Sequence, residues 1–162
     1  MPASDVVRHY KELSGVERAF RSLKTVDLHV RPIHHWSADR VRAHVFLCML
    51  AYYVEWHMRR KLAPILFDDH DKASADAKRE SIVKPARRSA AALRKAKTKH
   101  TEQGLPVHSF RTLLEDLATL TINHVRLGRT LPTFTRLAQP SIVQRRALSL
   151  LGIKLPRPKT SA

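Results

Sequence analysis

Between Val45 and Val54 the chain reads Val-Phe-Leu-Cys-Met-Leu-Ala-Tyr-Tyr-Val, a run without a single charged side chain. Ser37-Ala38-Asp39 supplies a helix start upstream, and Pro64, which has no N–H to donate, prevents extension downstream. These signals predict a helix from about residue 38 to about residue 62. Its centre is apolar on every side, so it needs packing partners on more than one face. The rest of the chain offers few elements to provide them, and a missing neighbour is the expectation. The run is bounded by His44 and Glu55 and falls short of the roughly 20 apolar residues that cross a bilayer, so no membrane span is expected.

The other segments carry weaker marks. Ser14-Gly15-Val16-Glu17 has the Ser-x-x-Glu pattern of a capping box, which predicts a helix start there and a helix to about Lys24, with Asp5 to Leu13 as a preceding helical turn. Val26 to Ile33 reads as extended. From Asp68 to Gln103 large apolar groups become scarce, and nine basic residues between Lys78 and Lys99 face the single acid Glu80. Such a stretch buries too little surface to offset its ordering entropy, so a solvated helix or a partly disordered connector is expected. Ser109 precedes Phe110, Leu113, Leu114, Leu117 and Leu120 at helical steps, which predicts a third helix with a core-facing stripe. Thr121 to Leu127 and Thr133 to Leu137 flank Gly128-Arg129-Thr130 and suggest a small hairpin. Pro140-Ser141 opens a last helix, carrying Ile142, Val143, Leu148 and Leu151 and ended by Gly152. The expected fold is mainly α, one compact unit plus tails.

A length of 162 residues and 43 % hydrophobic content allow one domain with a core. Lys and Arg number 30 against 14 Asp and Glu, a formal charge of +16, and an anionic partner relieves the resulting self-repulsion. Nucleic acid is the expected one. Cys48 is the single cysteine, so no disulfide closes within the chain. Met1-Pro2-Ala3-Ser4-Asp5 has neither a basic nor an apolar leader region, and a cytoplasmic location is expected.

The most informative stretch runs from Tyr10 to Lys24. Tyr10, Glu17 and Lys24 fall seven residues apart, and on a continuous helix each step drifts only about 20° around the axis. A phenol, a carboxylate and an ammonium would then share one stripe, with Arg21 one turn beyond Glu17. This stretch resembles the Tyr-x-x-Arg-x-x-x-Glu-x-x-x-x-x-x-Lys signature of the insertion-sequence transposases of the YREK, or IS-four-type, group. Leu13 stands where that signature has Arg; Arg8 or Lys11 are the nearby substitutes. The likeness continues through Val16-Glu17-Arg18-Ala19-Phe20-Arg21-Ser22-Leu23-Lys24-Thr25, Leu28-His29-Val30-Arg31-Pro32-Ile33 and Arg40-Val41-Arg42-Ala43-His44-Val45-Phe46-Leu47. It is less specific from Leu113 to Gly152.

The resemblance implies the C-terminal part of a DDE transposase, whose RNase H-like α/β domain holds two divalent ions between two strand-borne aspartates and one helix-borne glutamate. Glu17 would be that glutamate, the catalytic and metal-binding residue. Tyr10, Arg21 and Lys24 would contact the phosphates of transposon-end DNA. Three carboxylates are needed because two Mg²⁺ ions lie close together only when anionic ligands offset their repulsion. Residues 1–67 would be the end of the catalytic domain without its core strands, 68–105 a basic connector, 106–155 a helix-hairpin-helix segment with its hairpin near 120–137, and 156–162 a disordered tail. Asp5, Asp27 and Asp39 lie on no convincing core strand, so the two aspartates are expected elsewhere. The expected state is therefore a catalytically incomplete fragment that does not bind Mg²⁺ competently alone. Its partners would be DNA and either an upstream transposase fragment or a second copy.

Blander readings accompany each feature. Glu17 also fits a capping partner of Ser14, and Lys24 a solvated lysine at a helix C-terminus. His29, His34, His35, His44 and Cys48 lie close in sequence but form no four-ligand zinc pattern, and His34-His35-Trp36 fits a polar-aromatic turn. A stand-alone basic helical DNA-binding protein that regulates transposition is the alternative function, and an RNA-associated basic protein the next.

Overall fold

The computed structural model of the chain describes residues 1–26, 30–81, 83–84, 87–126, 128 and 133–156. The fold is mainly helical with one small antiparallel sheet: α1 (Ala3–Arg21), a π-wound turn (Ser22–Val26), α2 (Ala38–Leu62), a 3-10 turn (Ala63–Ile65), α3 (Lys72–Ala77), α4 (Ala90–Thr98), α5 (Phe110–Leu117), β1 (Ile122–Arg126), β2 (Thr133–Leu137) and α6 (Ile142–Leu151). These elements form two compact units rather than one. The first comprises residues 1–60 and 71–89, the second residues 61–70 and 90–162.

In the first unit, α1 begins at Pro2, whose carbonyl accepts from the Asp5 and Val6 amides at 3.0 and 3.3 Å. Asp5 in the first turn and Arg18 and Arg21 in the last complement the helix dipole. The helix therefore starts well upstream of Ser14, which corrects the expected capping box. Inside a helix the Glu17 amide is committed to the carbonyl four residues back. Ser14 instead turns its hydroxyl onto the Lys11 carbonyl, donating at 2.7 Å. Helix α2 spans the expected range, but among its residues only Leu62 is buried. Asp71 caps α3 by accepting from the Ser74 amide at 3.3 Å, and Lys11 donates to the Val83 carbonyl at 2.7 Å. Of the expected extended segment from Val26 to Ile33, residues 27–29 lie outside the described residues; 30–33 are without regular structure.

The second unit holds the core. Leu62, Ala63, Ile65 and Leu66 are buried along with Ala92, Val107, Phe110, Leu113 and Ala147. A short bridge joins Leu66 to His108, with the Phe67 amide donating to His108 and the His108 amide to Ile65. Ser109 caps α5 through the Thr112 amide at 3.1 Å. Strands β1 and β2 pair from Ile122↔Leu137 to Arg126↔Thr133, and the Ala138 amide donates to Thr121 at the open end. Much of the expected Gly128-Arg129-Thr130 turn lies outside the described residues, as do residues 157–162 of the expected tail. A capping box does form at Ser141 and Gln144, and Gly152 ends α6 at φ 75°, a left-handed conformation that costs glycine little.

The stretch 68–105 is not uniformly a solvated connector. Helix α4 falls within it and buries Ala92 and Lys95 in the second unit. The run Ala90-Ala91-Ala92 has no bulky side chains, which lets the helix approach its neighbours closely enough to be covered.

Candidate functional site

Helix α1 carries Tyr10, Glu17 and Arg21 along its length. Seven residues of α-helix place Glu17 about 10 Å along the axis from Tyr10 on nearly the same side. Both side chains face solvent: Tyr10 is 76 % exposed and the Glu17 side chain 73 %. Arg21 lies one turn on, its guanidinium 3.3 Å from the Glu17 carboxylate. A solvated pair at i and i+4 contributes about 0.3–0.5 kcal/mol, so it leaves both groups able to change partners. Lys24 is exposed but falls in the π-wound turn after α1. The winding there follows i to i+5 bonds, so the even stripe expected of Tyr10, Glu17 and Lys24 holds for the first two only.

The other acids of α1 are occupied locally. Asp5 pairs with Arg8 at 3.2 Å and Glu12 with His9 at 3.1 Å. Among the described residues no three His, Cys, Asp or Glu side chains converge as a metal site would require. Glu17 thus brings one carboxylate, paired with Arg21.

The histidines have other roles. His44 directs Nε2 onto the Val30 carbonyl at 3.1 Å, with Cys48 Sγ at 3.9 Å and the His35 ring edge-on at 5.7 Å. A carbonyl only accepts, so that nitrogen carries the proton and has no lone pair to offer a metal. His29 lies outside the described residues.

Two polar residues that the sequence did not single out organise the second unit. Lys95 is 3 % exposed, and its ammonium donates to the carbonyls of Ala63, Leu66 and Asp68 at 2.8, 2.7 and 2.9 Å. Three N–H donors meet three acceptors, which is how a buried ammonium is tolerated. Lys95 belongs to the stretch expected to be a solvated helix or partly disordered connector; its ammonium is directed inward instead. The only hint was its position on the same short helix as the three alanines. Gln144, 4 % exposed, accepts from the Ser141 amide at 2.9 Å and donates to the Asp116 carbonyl and the Thr119 hydroxyl at 2.7 and 2.9 Å. It ties the start of α6 to the end of α5.

No protein-family model, curated protein or solved structure matches the chain. No helix among the described residues is long and apolar enough to cross a membrane.

Proposed function

We propose that this chain is the C-terminal part of an insertion-sequence DDE transposase, incomplete as a catalyst by itself and completed by the rest of an RNase H-like catalytic domain. Glu17 supplies one of the metal-binding carboxylates of the parent enzyme, and two aspartates on the missing sheet supply the others. Tyr10, Arg21 and Lys24 contact the phosphates of transposon-end DNA, in the cytoplasm where the element resides. Two Mg²⁺ ions held between the three acids would activate the attacking oxygen and stabilise the leaving one.

The observation that carries this reading is the state of the first unit. None of its described apolar side chains is buried: α2 leaves Phe46, Leu47, Met49, Leu50, Tyr53, Val54 and Trp56 exposed, and Glu17 on α1 is open to solvent as well. A soluble monomer rarely leaves so long an apolar helix uncovered, and a central sheet is the kind of surface that covers one. The covering surface comes from an upstream transposase fragment or from a second copy of this chain.

The test uses duplex DNA carrying the terminal repeats that flank the gene. The purified chain alone should not nick it in Mg²⁺. Addition of a polypeptide bearing the two aspartates should restore nicking, and Glu17→Gln should abolish it. Nicking by the chain alone that disappears in Glu17→Gln would show that the site is complete within these residues and would overturn the proposal. The alternative of a stand-alone DNA-binding regulator predicts tight, salt-sensitive duplex binding with no gain from the added polypeptide.

A further inference from the structure

The last acidic residue of the sequence is Asp116; from Leu117 to Ala162 there are eight Lys and Arg and no Asp or Glu. Half of the formal charge of +16 is thus concentrated in the hairpin, α6 and the residues after it. Within the hairpin no described strand residue is buried. Side chains alternate between the two faces of a ribbon, so Asn123 and Arg136, directly opposite each other, share a face with the cross-strand pair Val125 and Phe134. Asn123, Phe134 and Arg136 are exposed. Among the described residues, neither Asn123 nor Arg136 uses its side chain in a hydrogen bond or ion pair. Thr135 and His124, joined at 3.4 Å, lie on the opposite face.

We infer that the β1–β2 hairpin is a base-reading ribbon that enters the major groove of duplex DNA, with Asn123 and Arg136 as the reading side chains and Phe134 as an apolar contact. The inference rests on the DNA-binding reading above and assigns sequence recognition to the second unit. A two-stranded ribbon fits the major groove, whose base edges display a distinct donor and acceptor pattern for each base pair. Arg pairs in two-pronged fashion with guanine O6 and N7, Asn with adenine N6 and N7, and an aromatic ring packs on a thymine methyl. Cross-strand neighbours on one face have Cβ atoms about 4.5–5.5 Å apart, so the Asn123 and Arg136 side chains reach the same or adjacent base pairs. The segment from Leu117 onward carries no carboxylate side chain of its own, so its eight cations attract the phosphate backbone. Exposed Arg145 on α6 adds positive charge a few residues after β2.

The test is selection of preferred duplexes from a random-sequence DNA pool by the full chain, followed by fluorescence anisotropy titration of the best duplex and of a scrambled control. The wild-type chain is expected to prefer the selected duplex. Asn123→Ala and Arg136→Ala should each weaken binding to it by roughly tenfold or more while changing binding to the control much less. Arg136→Lys keeps the charge but loses the forked geometry, so it should retain the salt dependence yet lose the preference. Both positions are exposed, and an unchanged thermal melt confirms that the fold is kept. Selection that succeeds with wild type and persists in the three variants would overturn the ribbon assignment and leave DNA binding intact. Absence of duplex binding by wild type, or preference for single-stranded RNA of the same composition, would overturn the DNA-binding reading and the ribbon together.

Discussion

The two compact units differ in what their helices accomplish. The longest elements, α1 with 19 residues and α2 with 25, belong almost wholly to the first unit and bury no apolar side chain there. The second unit is built from α4, α5 and α6, of 9, 8 and 10 residues, a five-residue hairpin pair and a tight turn after α2, and it contains every buried apolar side chain among the described residues. Helix length reflects local propensity and the absence of breakers; burial depends on what lies across the interface. Long α2 is therefore only half-buried along one stripe (Val41, His44, Cys48, Tyr52, Glu55) and exposed over the rest of its apolar run, whereas short α5 is a core element.

The largest expected contrast between the units comes from matched leucines. Leu113→Ala in the core of the second unit should cost about 2–5 kcal/mol through lost packing and a cavity. Leu50→Ala on exposed α2 should cost less than about 1 kcal/mol in the isolated chain. Denaturant titration of each variant measures both, and equal costs would break the contrast. Addition of the proposed covering polypeptide should raise the cost at Leu50 and leave that at Leu113 unchanged.

Lys95→Met ranks next. It removes the three donors that satisfy the Ala63, Leu66 and Asp68 carbonyls while keeping similar bulk, and a loss of about 1–3 kcal/mol is expected. Its effect on the salt dependence of DNA binding should be small, since its ammonium is buried. A flattened salt slope with an unchanged melt would place Lys95 on the nucleic-acid surface and contradict its buried role.

The smallest contrast sets one sequence pattern against its twin. Ser14-Gly15-Val16-Glu17 and Ser141-Ile142-Val143-Gln144 both follow the capping-box spacing, yet only the second forms one. Ser141→Ala should cost about 1 kcal/mol, whereas Ser14→Ala, in mid-helix, should be neutral or slightly stabilising. Thermal melts of the two variants decide it.

That pair also marks how far the sequence was legible. Pro140 immediately before Ser141 and the apolar run after it isolate a true helix start, and α2, Ser109 and Gly152 were marked as plainly; the hairpin strands carried a weaker mark. The stretch before Ser14 contains Ala3, Asp5, Val6 and Glu12 with no breaker, so the helix had already begun and the pattern was redundant. The division into two units was not legible, because α2 crosses the boundary at Arg60 and Lys61 as one uninterrupted helix. The inward role of Lys95 was hidden for a different reason: a lysine is buried only where three carbonyls happen to converge, and that convergence is a tertiary property. At the candidate site, Tyr10, Glu17 and Arg21 were readable as helix-borne because they lie within α1. The displacement of Lys24 was not, since a π-wound turn leaves no clear mark in composition.

The most direct test of the central claim, that the first unit needs a covering partner while the second is self-sufficient, is residue-resolved amide hydrogen exchange on the chain alone. The account predicts that amides of α5 and α6 exchange only through global unfolding of their unit, while those of α1 and the centre of α2 exchange orders of magnitude faster. Equal protection across α1, α2, α5 and α6 would contradict it.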